Sequence, residues 1–143
     1  MIIEISLRKL LVTMQKINFS ITMKDYISLL PPDCPYSVIF SNTGSIWAIS
    51  DGWTFTEEDA KRILALIEDP VTAMKSSFVL GQRSYLVVYA DGESLVARNR
   101  EFGVFVIKCK ISYLLGYCDG TTDPTQCLRS VRRIATLTNQ SKP

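Results

Sequence analysis

The stretch SNTGSIWAIS, residues 41–50, places a turn signal directly before a short apolar run with Trp47 at its centre. Asn42 and Gly44 can take the positive φ that a tight hairpin loop needs, so YSVIF (36–40) and SIWAIS (45–50) are predicted to pair as an antiparallel hairpin. Under strict alternation Ile46 and Ala48 point to one side of the second run, and Trp47 and Ile49 to the other. Both sides are apolar, which predicts a strand covered above and below. A lone tryptophan in such a strand is more often core than ligand surface.

Working outward, Leu7, Leu10, Leu11, Met14 and Ile17 recur at helical spacing and predict an amphipathic helix over 4–18. MKDYISLL (23–30) is a second helical segment, stopped by the prolines of PPDCP (31–35). After the hairpin, Thr56 is a helix cap with Asp59 three residues on, and Ala60, Ile63, Leu64 and Ile67 mark one face of a helix that Pro70 is expected to end. Five apolar runs follow: FVLG (78–81), SYLVVYAD (84–91), SLVAR (94–98), GVFVIK (103–108) and ISYLLGYC (111–118). Their links are short, so they predict an antiparallel meander. Asp123 and Pro124 then supply a cap and a first-turn proline for a last helix, with Leu128, Val131, Ile134 and Ala135 on one face. The order helix, hairpin, helix, five strands, helix predicts an α+β domain with an antiparallel sheet and helices on both faces. Residues 1–21 are expected to be an N-terminal extension, and 22–143 the folded domain.

Composition narrows the function. The chain has 143 residues, 47% hydrophobic, with 16 basic and 14 acidic side chains for a net charge of +2, enough for one domain and too balanced to demand nucleic acid. Acidic residues concentrate in 51–69, and basic ones in 75–110 and the last twenty. There is no histidine, so a Ser-His-Asp or Cys-His site is impossible and the commonest metal ligand is missing. Phosphate-binding and nucleophile-elbow glycine patterns are absent too, and no cofactor is expected. Glu57, Glu58 and Asp59 stand where a helix N-terminus favours carboxylates, which is a structural reading rather than a catalytic one. Cys34, Cys109, Cys118 and Cys127 contain no C-x-x-C pair and are expected to be reduced and packed. The first fifteen residues carry Glu4, Arg8 and Lys9 and read neither as a secretory signal nor as a membrane span, so a cytoplasmic location and a non-enzymatic binding role are expected.

At GSIWAIS the sequence resembles the profilin family, whose corresponding strand typically reads G-S-V-W-A. FTEEDAKRILALIEDP (55–70), LVVYADGESLVAR (86–98), GVFVIKCK (103–110) and QCLRSVRRIA (126–135) are similar to the family's middle helix, central hairpin, late strand and C-terminal helix. The likeness runs from about Ser37 to Leu137. It implies a central antiparallel sheet with N- and C-terminal helices on one face and a shorter helix on the other, in a monomer associated with the cytoskeleton that regulates actin filament assembly.

The resemblance implies two ligand surfaces. The actin side takes Met74, Lys75, Ser84, Tyr89, Arg98, Thr125 and Arg129. Ser84 and Tyr89 stand where many profilins carry basic residues, and Thr125 where a glycine is usual, so monomeric actin is expected to bind more weakly. The groove for proline-rich segments takes Met23, Tyr26, Trp47 and Leu137, with Met23 in place of a tryptophan and Leu137 in place of an aromatic or histidine. Trp47 is thereby expected to be partly exposed, and proline-rich binding to be weak. Arg129, Arg132 and Arg133 are phosphoinositide candidates. The alternative reading is a profilin-fold adaptor for phosphoinositides or another protein, with little actin binding.

Overall fold

A computed structural model of the chain describes residues 30–32, 34–121 and 123–140, the side chains of 137–140 excepted. The helices expected at 4–18 and 23–30 lie outside these residues apart from Leu30, as do Met23 and Tyr26.

Seven strands form one sheet, antiparallel at every pairing: β1 Tyr36–Ser41, β2 Ile46–Ile49, β3 Ser77–Leu80, β4 Arg83–Ala90, β5 Ser94–Asn99, β6 Phe102–Lys108 and β7 Ser112–Cys118. In space the order is β2-β1-β7-β6-β5-β4-β3, so the meander's last strand pairs with the first strand of the domain. The β1–β2 turn forms where expected, although Asn42 does not take a positive φ and Gly44 alone does. Gly44 takes φ +95°, and the Ser41 hydroxyl accepts the N–H groups of Thr43 and Ser45, both at 3.1 Å.

Helix α1, Glu57–Ile67, begins with the expected reciprocal cap: Thr56 Oγ1 accepts the Asp59 N–H at 3.1 Å, and Asp59 Oδ2 accepts the Thr56 N–H at 2.9 Å. Pro70 does not merely end this helix. It opens a further turn, α2 Pro70–Ala73, where Asp69 caps Thr72 N–H and the proline sits at a position needing no N–H donor. Helix α3, Pro124–Gln140, follows Asp123, whose carboxylate accepts the Thr125 N–H at 3.2 Å.

Two cores lie on opposite faces of the sheet. Ala60, Ile63, Leu64 and Ile67 of α1 and Ala73 of α2 pack with Val38, Phe40, Tyr85, Leu95, Val104 and Leu115 on one face. On the other, Cys127, Val131, Ile134 and Ala135 of α3 pack over Ile39, Trp47, Ala48, Phe105 and Leu114. Helices therefore cover both faces, the C-terminal one opposite the shorter pair.

The close seat of α3 depends on Gly116 of β7. A Cβ there would stand 2.5 Å from Val131 Cγ2 and 2.9 Å from Cys34 Sγ, well inside contact distance. All four cysteines are free and buried, as expected of packed thiols.

Strict alternation fails at two places. Ile39 is opposite Ala48 while Phe40 is opposite Ile46, so Trp47 is the extra residue of a bulge. Trp47 and Ala48 consequently enter the same core, and Ile46 and Ile49 pack against the other. Likewise Val87 faces Ala97 and Tyr89 faces Val96, leaving Val88 as the extra residue in β4.

Candidate functional site

Helix α3 covers only part of its face of the sheet. Beyond it, alternation turns Ser77 and Val79 of β3, Ser84 and Leu86 of β4, and Arg98 of β5 outward, while Phe78, Tyr85, Val87 and Ala97 turn into the α1-side core. The β4 bulge adds Val88 and Tyr89 to the exposed set in succession, where regular pleating would have hidden one of them. Val79, Leu86, Val88 and Tyr89 are all at least 45% exposed, with Leu86 the most open at 58%. An apolar group of this kind on an open sheet face is the kind of surface at which binding takes place.

The rim of this face is polar and basic. Arg98 is directly opposite Leu86 across the β4–β5 pair, and its guanidinium donates to Arg100 O at 3.1 Å. Asn99 Nδ2 donates to Ser84 O at 2.8 Å, holding the start of β4 against the end of β5. Tyr89 donates its hydroxyl to Asp91 Oδ2 at 2.7 Å. The other oxygen of Asp91 accepts the N–H groups of Glu93 and Ser94 and the Ser94 hydroxyl. These bonds, the Glu93 N–H foremost and the Tyr89 hydroxyl next, hold the Asp91 carboxyl down to about 2. The bond to Asp91 in turn raises the Tyr89 phenol, and the field of Arg132 on α3 lowers it. Helix α3 packs over β6 and β7 on this same face of the sheet, next to its open half.

The other expected contact residues are accessible. Met74 and Lys75 are exposed in the turn from α2 into β3, and Thr125, Arg129 and Arg132 follow one another along one stripe of α3 with Arg133 beside them, all exposed. Ser84, Tyr89 and Arg98 thus belong to one sheet face, the α3 residues adjoin it, and Met74 and Lys75 stand at the far β3 end. Sequence reasoning missed Val79, Leu86 and Val88, because apolar residues in a meander read as core. Their alternation with Phe78, Tyr85 and Val87 was the available signal.

Trp47 follows the reading of its strand alone, as core, and departs from the partly open ring that the resemblance implies. It is 4% exposed, packed with Ile39, Ala48 and Leu114 under α3, and does not offer a partly open ring. The bulge turns it onto the α3 side, where the packed cluster of Cys127, Val131, Ile134 and Ala135 with Ile39 and Leu114 encloses it. Leu137 lies on α3 with its side chain outside the description. Among the described residues no group of acidic and cysteine side chains could hold a metal ion, and no helix is long and apolar enough to cross a membrane.

A family model for profilin matches residues 23–142 of the chain. The chain belongs to the profilin family. The profilin of Schizosaccharomyces pombe is 23% identical over 100 residues, covering 69% of this chain and 79% of that protein. The profilin fold is equally plain in three dimensions. Acanthamoeba castellanii profilin IB superposes with a TM-score of 0.75 at 19% identity, over 82% of this chain and 97% of that one. LokiProfilin1, solved in complex with rabbit actin, superposes at 0.64 and 17% identity, over 82% of this chain and 91% of its own.

Proposed function

We propose that this profilin binds monomeric actin through the open β3–β5 face and the adjoining flank of α3, and thereby regulates filament assembly. The observation that carries the reading is the exposed apolar group Val79, Leu86, Val88 and Tyr89 with Arg98 in its midst, on a fold that LokiProfilin1 shares in its complex with rabbit actin. The contact is weaker than in relatives with more basic anchors, because Ser84 and Tyr89 bring no positive charge and the β-branched Thr125 limits close approach. Met74 and Lys75 extend the contact at the β3 end, and Arg129 extends it along α3.

Pyrenyl-actin assembly and sedimentation test this. The wild type is expected to slow spontaneous assembly at micromolar concentration. Leu86→Asp and Arg98→Glu should weaken the effect at least tenfold, roughly the loss of one interface anchor. Leu86 is exposed and Arg98 half-buried, so unfolding stability should move by no more than about 1 kcal/mol. No effect of the wild type at high micromolar concentration refutes the actin reading.

Binding of proline-rich segments through Met23, Tyr26, Trp47 and Leu137 is weak on the same proposal, since a ring with 4% of its surface open has little face for a prolyl stack. Titration of a polyproline peptide should leave tryptophan fluorescence unchanged at micromolar peptide, and a saturable change refutes this. A second role rests on Arg129, Arg132 and Arg133, all exposed on α3: they attract anionic headgroups, and phosphoinositide vesicles should retain the wild type but not a triple alanine variant.

A further inference from the structure

On the α1 side of the sheet, where the β3–β4 turn comes round towards the start of β1, a cleft of about 150 Å³ opens between Tyr36, Trp53, Tyr117 and the Gly81–Arg83 turn. Its walls are rings. Tyr36 stacks on Trp53 at 5.7 Å, and Trp53 meets Tyr117 at 5.8 Å. Its one charged lining residue is Arg83, half-buried, with its guanidinium 3.6 Å above the Phe102 ring and donating to the Tyr117 hydroxyl at 3.5 Å. Among the described residues no carboxylate pairs with it. Burial pushes the Tyr117 phenol up to about 12, so it stays neutral and does not supply the missing anion.

A guanidinium held rigid by a ring beneath it keeps its free edge for a planar oxyanion. A volume near 150 Å³ is about that of a cavity that admits one benzene molecule. We propose that this cleft binds a single flat ring bearing a carboxylate, the ring against Trp53 and Tyr36 and the carboxylate on Arg83. A free aryl acid carries the two directly joined, and the C-terminal aromatic residue of a peptide offers the same ring and carboxylate separated by two carbons. The site is independent of the proposed actin surface, because Arg83 and Tyr85 point to the α1 side while Ser84 and Leu86 point away from it.

The test follows the Trp53 indole N–H by proton–nitrogen NMR in the full chain during titration with benzoate, with benzyl alcohol, and with Gly-Phe as free acid and as amide. Benzoate should saturate the shift at millimolar concentration, and benzyl alcohol should bind at least tenfold more weakly, the loss of one charge-assisted contact. Arg83→Met should remove that difference. Saturation by free-acid Gly-Phe but not its amide assigns the peptide terminus, and saturation by benzoate alone assigns the free acid. The proposal is overturned if neither acid saturates the shift, or if benzyl alcohol binds as well as benzoate. The wild-type comparison decides even where Arg83→Met fails to fold.

Discussion

Trp47 is the extra residue of a bulge, and its side chain fills the space between the first hairpin and α3. A ring of that size cannot be replaced by collapse of its neighbours, so Trp47→Ala should cost about 3–5 kcal/mol of unfolding free energy in urea titration. A loss below 1 kcal/mol would contradict its burial. Asp91 acts more locally, through the four hydrogen bonds it accepts in the β4–β5 turn. Its folded carboxyl titrates at about 2 instead of 3.8, so its stabilisation is complete above the ordinary value and disappears as pH falls through about 2. A carbon-13 NMR titration should find Asp91 still ionised at pH 3. Asp91→Ala should lower stability by about 1 kcal/mol and free the Tyr89 ring at the edge of the proposed actin face.

The pair β7 and α3 is the most exacting contact between elements. Alanine at position 116 would drive its Cβ into the side chains of Val131 on α3 and Cys34 before β1. Gly116→Ala should cost about 1–3 kcal/mol by chemical denaturation, as overpacked cores do. Adding Val131→Ala should recover part of that loss, because the two side chains compete for one space, and simple additivity would show that they do not. Helix α1 relies on its cap to a smaller degree: Thr56→Ala removes one half of a reciprocal pair and should cost about 1 kcal/mol.

For the molecule as a whole, both faces of the sheet are sealed over its β1, β7 and β6 half, and every cysteine lies inside that seal. Burial pushes Cys109 up to about 11 and raises Cys118 as well, so neither is a thiolate near neutral pH. Aromatic disulfide reagents should therefore leave the native protein largely unlabelled at pH 8 and modify four thiols after denaturation. Rapid reaction of the native state would contradict the packing. The sequence by itself determined the elements. Asn42 and Gly44 mark the first turn, Thr56 and Asp59 the start of α1, Asp123 and Pro124 that of α3, and the short links make the meander antiparallel. Those signals are local, each needing only a few neighbouring side chains and the backbone geometry they permit. Asp69 and Pro70 were equally local and marked the start of α2, although proline is more readily read as a stop. Only the tertiary structure decided that β7 returns to β1, that Trp47 turns inward at a bulge, and that Val79, Leu86 and Val88 stay uncovered. A strand's partner, a one-residue shift in register and the reach of a covering helix are set by contacts between residues far apart in the chain, and the pattern of a single run does not encode them.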